Sequence, residues 1–157
     1  MKIEYLQDIN EIDELVSLFK TVLFEIPYYN DLAKQNELKH YTKNNLIEKI
    51  KEDPKSIIIA RENDELIGFC FNRFDDYTIW LEWIVLKRNL KRTGVGKLLI
   101  EKLVDATKER NCHKIWCDCR TTNNVSKNFL KKNGFELICE IPNHWYQQDF
   151  VLLQKPV

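Results

Sequence analysis

Residues 79–110 read IWLEWIVLKRNLKRTGVGKLLIEKLVDATKER. The stretch opens as an apolar run of β-branched and aromatic residues, the composition of a strand. It passes through a basic loop to Gly94 and Gly96, then continues as a helical pattern with Leu98, Leu99, Leu103, Val104 and Ala106 apolar. A strand that feeds a glycine loop at a helix N-terminus makes an anion site, because the first N–H groups of a helix lack internal partners and its dipole favours negative charge there. Gly94 and Gly96 allow close backbone approach, and Lys91, Arg92 and Lys97 add positive charge. The stretch therefore reads as a phosphate-binding turn. It is not a P-loop, since Lys91 stands where the first glycine belongs and Leu98 follows Lys97 in place of Ser or Thr. It is not a dinucleotide fingerprint either, since Leu99 takes the position of the third glycine.

The chain has 157 residues, a length that suits one domain over residues 1–157 with a sizeable core. Lys plus Arg and Asp plus Glu both number 24, so the net charge of zero carries no nucleic-acid footprint. The basic residues concentrate at 87–97, which suits a compact polyanion. No apolar run is long enough to span a membrane, and no signal-peptide pattern opens the chain. Five cysteines without a C-x-x-C arrangement suggest free thiols in a reducing cytoplasm and no metal site.

In order, residues 2–6 alternate as a short strand. Asn10 is placed to cap a helix whose apolar stripe is Ile12, Leu15, Val16, Phe19, Val22 and Leu23, and Pro27 ends or redirects it. Residues 27–37 read as irregular, and a weaker helix runs from about Tyr41 to Lys51. Three strands follow at 56–61, 66–74 and 77–86, with Asn63-Asp64 and Asp75-Asp76 as turn residues of a meander. After the helix at 94–110 come a strand at 114–119, a helix from about Asn124 to an αL cap at Gly134, and strands at 135–141 and 150–154. The expected order is β-α-α-β-β-β-α-β-α-β-β, an α/β fold with a mixed sheet.

Two motifs and that order resemble the GNAT superfamily of N-acetyltransferases over nearly the whole chain. Lys91-Arg92-Thr93-Gly94-Val95-Gly96 resembles the family's R/Q-x-x-G-x-G/A acyl-CoA loop, with Lys91 at the Arg/Gln position. Asn123 to Phe135, NNVSKNFLKKNGF, resembles N-x-x-A-x-x-F-Y-x-K-x-G-F, with Asn123, Phe129, Lys132, Gly134 and Phe135 in place, Ser126 for Ala and Leu130 for Tyr. The resemblance implies a GNAT acyltransferase fold with acetyl-CoA as cosubstrate. Ile84, Val85 and Leu86 would pair with the pantetheine like an added strand and supply an oxyanion donor. Arg92, Thr93, Gly94, Val95, Gly96 and Lys97, with Lys91, would hold the pyrophosphate. Asn123 would contact the pantetheine arm, and Lys132 of the same motif would also bind the cofactor.

Glu82 interrupts the apolar strand Trp80–Leu86. Its surroundings resemble those of spermidine/spermine (diamine) acetyltransferases, which implies a general base. An amine is mostly protonated near neutral pH and must lose a proton to attack a thioester, so a carboxylate there has a task. Strict alternation would instead turn Glu82 away from Leu81 and Trp83, toward solvent. Leu130 cannot protonate a departing thiolate; Tyr146, His144, Tyr28 and Tyr29 are possible substitutes. Glu25, Asp31 and Glu37 could attract a cationic acceptor. Cys117 and Cys119 share a strand face and pack, His113 suits a helix end, and Trp80 and Trp83 would serve opposite faces. The resemblance thus implies acetyl transfer to a primary amine of a small, polyamine-like molecule by a cytoplasmic enzyme of a family in which homodimers are common, and charge and hydropathy add no nucleic-acid or membrane partner. Acetylation of a protein or peptide, and acetyl-CoA binding without catalysis, are the alternatives.

Overall fold

The computed structural model describes residues 1–90 and 93–157. The chain runs β1 (Lys2–Tyr5), α1 (Ile12–Glu25), α2 (Asp31–His40), α3 (Lys43–Glu52), β2 (Ile57–Glu62), β3 (Glu65–Asp75), β4 (Thr78–Leu86), α4 (Val95–Glu109), β5 (Lys114–Arg120), α5 (Asn124–Lys132), β6 (Glu136–Ile141) and β7 (Phe150–Pro156). Seven strands form one sheet in the order β1-β2-β3-β4-β5-β7-β6, in which the β4–β5 pair is parallel and the others antiparallel.

Sequence and structure differ in α2. Residues 31–40 form a helix because Asn30 accepts from the Ala33 N–H at 2.9 Å and Asp31 opens the first turn. Only Ala33 is buried on it, so there is no apolar stripe to betray the helix. Thr42 caps α3, which begins two residues later than its apolar pattern suggests. Asp8, not Asn10, caps the chain's first turn, a 3-10 segment at Ile9–Glu11 that leads into α1. The Asn63-Asp64 turn has both residues at positive φ, as a two-residue hairpin requires, whereas the next turn is centred on Asp76-Tyr77. Gly134 takes the expected αL cap with φ +84. His113 caps no helix; its N–H donates to the Tyr77 carbonyl and its carbonyl accepts from Val157.

The sheet separates two apolar layers. On one face α4 and α5 bury Val95, Leu99, Ile100, Leu103 and Leu130 against Ile58, Ile79, Leu81, Ile115 and Cys117. On the other, α1 and α3 bury Ile12, Leu15, Phe19, Leu46 and Ile50 against Phe69, Phe71, Trp83 and Val85. Phe19 is the hub of the second layer, with ring centroids 5.1 Å from Tyr41, 5.2 Å from Trp83, 6.1 Å from Phe71 and 6.3 Å from Phe69. Removing that ring leaves a void that four neighbouring aromatics cannot close. Phe19→Ala should cost about 3–5 kcal/mol of stability, measured as a lower urea midpoint with an unchanged slope. A loss below about 1 kcal/mol would show that the layer collapses around the missing ring.

Candidate active site

β4 and β5 pair over two residues only, Ile79 with Ile115 and Trp80 with Trp116. β4 then runs to Leu86 on β3, and β5 runs to Arg120 on β7, without rejoining each other. Beyond the Trp80–Trp116 rung the two strands are the walls of an opening, and the β4 backbone groups turned toward β5 have no strand partner. Ile84 and Leu86 pack their side chains toward α4, while Val85 faces α1. An extended amide chain fits such an edge by strand addition. Gly68 makes this edge possible, since a Cβ there would lie 2.7 Å from the Val85 carbonyl oxygen and 2.5 Å from Leu86 Cδ2.

The α4 N-terminus lies at the end of the same edge. Gly94 is its N-cap at φ +90, which L-residues rarely adopt, and no side chain among the described residues is seen to cap the helix. The first-turn N–H groups of α4 therefore remain available to an anion. Gly96 is buried against Phe129, whose ring would lie 2.9 Å from an added Cβ. Thr93 Oγ1 donates to the Leu90 carbonyl at 2.7 Å, and Lys97, exposed, has Glu101 at 3.5 Å. Lys91 and Arg92 lie outside the described residues. Uncapped donors, a left-handed glycine and a free strand edge in continuity are a fit for a phosphate-bearing pantetheine ligand.

Other motif residues are used locally. Asn123 caps α5, accepting from the Ser126 N–H at 3.0 Å and donating to Ser126 Oγ at 2.8 Å. Lys132 is exposed at the far end of α5, about 13 Å along the axis from Asn123, where its charge complements the helix C-terminus. Leu130 is 4% exposed and belongs to the α4 layer.

Glu82 is neither alternated into solvent nor an ordinary strand residue. Phe71 pairs with Trp83 and Asn72 with Leu81, so Glu82 is the extra residue of a β-bulge. The bulge puts Glu82 and Trp83 on the α1–α3 face together, and Trp80 shares that face rather than serving the opposite one. Lys49 Nζ of α3 lies 2.8 Å from Glu82 Oε2, with the two side chains 17% and 13% exposed. The ammonium sits off the line of a hydrogen bond, so Oε2 keeps an unused acceptor direction. A cavity of about 280 Å³ opens beside the pair, lined by His40, Tyr41, Asn45, Glu48 and Glu52. Burial, then the charges of Glu82 and Glu37, push the Tyr41 hydroxyl well above its ordinary value.

The other wall of the opening holds residues that sequence reading passed over. Ile115, Cys117 and Cys119 face α4, so alternation turns Trp116, Asp118 and Arg120 to the Glu82 face. Arg120 is 5% exposed, its guanidinium 3.5 Å from the Tyr29 ring centre, with Nε donating to Gln148 Oε1 at 2.7 Å and Nη2 buried with no hydrogen-bond partner among the described residues. Asp118 Oδ2 accepts from Trp145 Nε1 at 3.0 Å. Burial is the main cause that raises this carboxyl to about 6, against the pull of Trp145, His144 and Arg120. A strap between β6 and β7 closes over both residues. It places Tyr146 and Gln147 at positive φ, and Tyr146 donates its hydroxyl proton to Glu37 Oε1 at 2.9 Å. Glu37 also accepts from Trp83 Nε1 at 3.2 Å, and burial raises the Tyr146 hydroxyl to about 12. Asn30 Nδ2 donates to the Tyr146 carbonyl, and Gln148 Nε2 to that of Tyr28. Of the three acids expected to meet a cation, Glu37 alone is in this cluster; Glu25 and Asp31 are exposed elsewhere. The missed signal was alternation in KIWCDCR, which sets an acid and an arginine on one face of a buried strand. No helix among the described residues is long and apolar enough to cross a membrane, and no group of three or more potential metal ligands occurs among them.

A family model described as the Acetyltransferase (GNAT) family matches residues 11–135. The chain belongs to that family and is by class an acetyltransferase. Among solved structures it resembles the PaiA N-acetyltransferase of Thermoplasma acidophilum in complex with coenzyme A, at 18% identity, covering 99% of this chain and 98% of that one with a TM-score of 0.82. It also resembles an acetyltransferase of the GNAT family from Streptococcus pneumoniae (17%, 99% and 98%, TM-score 0.82). A third is the ribosomal-protein-alanine N-acetyltransferase of Brucella melitensis (15%, 100% of each chain, TM-score 0.80). At these identities the likeness is one of fold. Comparison with curated proteins finds no match.

The raised carboxyl of Asp118 has a consequence for stability. Between 3.8, its ordinary value, and about 6 the folded protein holds a proton that the unfolded chain has released. Stability from this group is therefore complete below the lower value and is lost as pH rises through the upper one. Asp118→Asn removes that loss, and the Asn carbonyl still accepts from Trp145. The variant should melt higher than wild type at about pH 7.5, with the difference closing by about pH 4. A variant that melts lower at both values would mean that the carboxylate stabilises the fold.

Proposed function

We propose that the protein transfers the acetyl group of acetyl-CoA to a primary amine of a small molecule, by direct attack of the amine on the thioester. The observation that carries this reading is the parting of β4 from β5 after one shared pair of tryptophans, in line with an uncapped helix N-terminus. Ile84, Val85 and Leu86 would take the pantetheine along their free edge, and a backbone N–H there would face the thioester oxygen. Residues 93–97, together with Lys91 and Arg92, would take the pyrophosphate. Glu82 would bind the acceptor's ammonium in the place Lys49 occupies, and take its first proton. Acetyl-CoA supplies the activated acyl group.

A small acceptor is favoured over a chain segment because the strap is tied to Tyr28, Asn30 and Glu37, closing the face through which a peptide would run. All five cysteines are free thiols, four of them buried, which suits a reducing compartment such as the cytoplasm.

Titration with acetyl-CoA should raise the melting midpoint, by about 2.7 kcal/mol of stabilisation at roughly a hundred times the dissociation constant. The bound enzyme is then offered 1,4-diaminobutane, alaninamide and an alanine-initiated peptide. Turnover of the small amines is expected, with Glu82→Gln slower by about a hundredfold and its acetyl-CoA shift retained. Peptide turnover alone would identify a protein acetyltransferase. Binding with no turnover would identify a non-catalytic module, and no shift with acetyl-CoA or CoA would sink the reading at its first step.

A further inference from the structure

Glu82 and Asp118 occupy equivalent places on the two walls of the opening. Each lies two residues beyond the Trp80–Trp116 rung, and both are on the α1–α3 face of the sheet. Their surroundings differ in kind. Glu82 has the Lys49 ammonium at 2.8 Å. Asp118 has no lysine; its Oδ2 is held by Trp145, and Oδ1 has no donor among the described residues. The groups around it are His144 and Trp145 from the strap, Glu37 from α2, Tyr29 from the segment after α1, and Arg120 from its own strand, with the Cys119 thiol adjacent on the other face of that strand.

The reaction needs a second proton acceptor. An ammonium R–NH3⁺ becomes an amide R–NH–CO–CH3, so two N–H bonds break. One proton must leave before the nitrogen lone pair can form the C–N bond. The other leaves as the C–S bond breaks and its electron pair departs on sulfur. The α5 side supplies no group for that exchange, because Leu130 is buried in the α4 layer.

We propose that Asp118 is the second catalytic carboxylate, which takes the proton shed by nitrogen as the C–N bond forms and passes it through water to the departing sulfur. The proposal rests on the acetyl-transfer reading above. The balance closes: the nitrogen loses two protons, Glu82 releases the first to solvent, and the second ends on the CoA thiol. With its carboxyl near 6, Asp118 is charged and ready to accept at neutral pH. Once protonated it is a stronger acid than a thiol near 8.5, so the return step runs downhill. Trp145 aims the carboxylate, and Arg120 keeps positive charge beside it.

The test measures kcat and kcat/KM between about pH 5 and 9 for wild type, Asp118→Asn, Asp118→Glu and Glu82→Gln, with the fastest acceptor of the three amines named above. Wild type should lose kcat/KM as pH falls through about 6. Asp118→Asn should lose about a hundredfold or more in kcat at neutral pH, with its acid limb gone and acetyl-CoA binding by calorimetry unchanged. Asp118→Glu should recover part of the rate and the limb. A structural role would move neither limb nor rescue. In the substrate-free protein, the aspartate carboxyl carbon resonance that Asp118→Asn deletes should titrate near 6. An Asp118→Asn enzyme within about threefold of wild type with the limb intact overturns the proposal, as does titration of that resonance near its ordinary value. Failure of wild type to turn over any amine is a failure of the acetyl-transfer reading instead, which the wild-type arm reports separately.

Discussion

The two-residue contact between β4 and β5 is the constraint on which the rest depends. Parallel strands normally stay paired along their length, because unpaired backbone groups inside a protein are costly. Here the pairing stops after Trp80 and Trp116, whose rings meet edge to face at 4.7 Å. One extra residue on β4, Glu82, increases the local twist and turns the strand toward β3 alone. The candidate site sits on the resulting edge and its two walls. The free backbone of 84–86 leads to the start of α4 at Gly94, and Glu82 and Asp118 follow the rung on the two separating strands.

Charge is distributed unevenly across that gap. The β4 wall carries an ion pair, Glu82 with Lys49, drawn from a strand bulge and a helix that approach only through the Phe19 layer. The β5 wall carries Asp118 without an ammonium, and Arg120 stacked on Tyr29 and near Tyr146 and Phe150. Aromatic faces let a guanidinium be buried with one nitrogen unpaired at a smaller cost than an apolar wall would impose. The strap completes the arrangement, with Tyr146 held in the left-handed region by hydrogen bonds to Glu37, Asn36 and Asn30. A non-glycine residue kept there by several bonds marks a segment whose position matters more than its local comfort.

The strands and four of the five α-helices among the described residues were legible from helical stripes, from alternation in β4 and β5, and from short apolar runs bounded by turn residues. Phe19 and Leu15 recur on one face of α1, and Ile57 to Ala60 form a short apolar run. The α2 helix was not, since Asn30, Asp31 and a single buried Ala33 specify it by capping rather than by an apolar stripe. The helix start at Gly94 was legible because a glycine just before an apolar helical stripe follows from local chain order, and Gly94 takes φ +90 as the N-cap of α4. Asn123 and Lys132 matched a motif by type, yet one is spent on a helix cap and the other sits at the helix's far end.

Sequence alone determined the order of elements, the β4–loop–α4 unit, and the presence of a carboxylate on the β4 strand, because each is set by neighbours along the chain. Tertiary structure decided which face Glu82 joins. A register slip of one residue reverses a side chain's direction, and only the pairing of Phe71 with Trp83 and Asn72 with Leu81 reveals it. It also decided that Lys49 meets Glu82, that Tyr146 meets Glu37, and that Asp118 lies half-buried under Trp145 with Arg120 on its own strand nearby. The first two contacts join residues 33 and 109 positions apart, and neither leaves a local mark in the sequence.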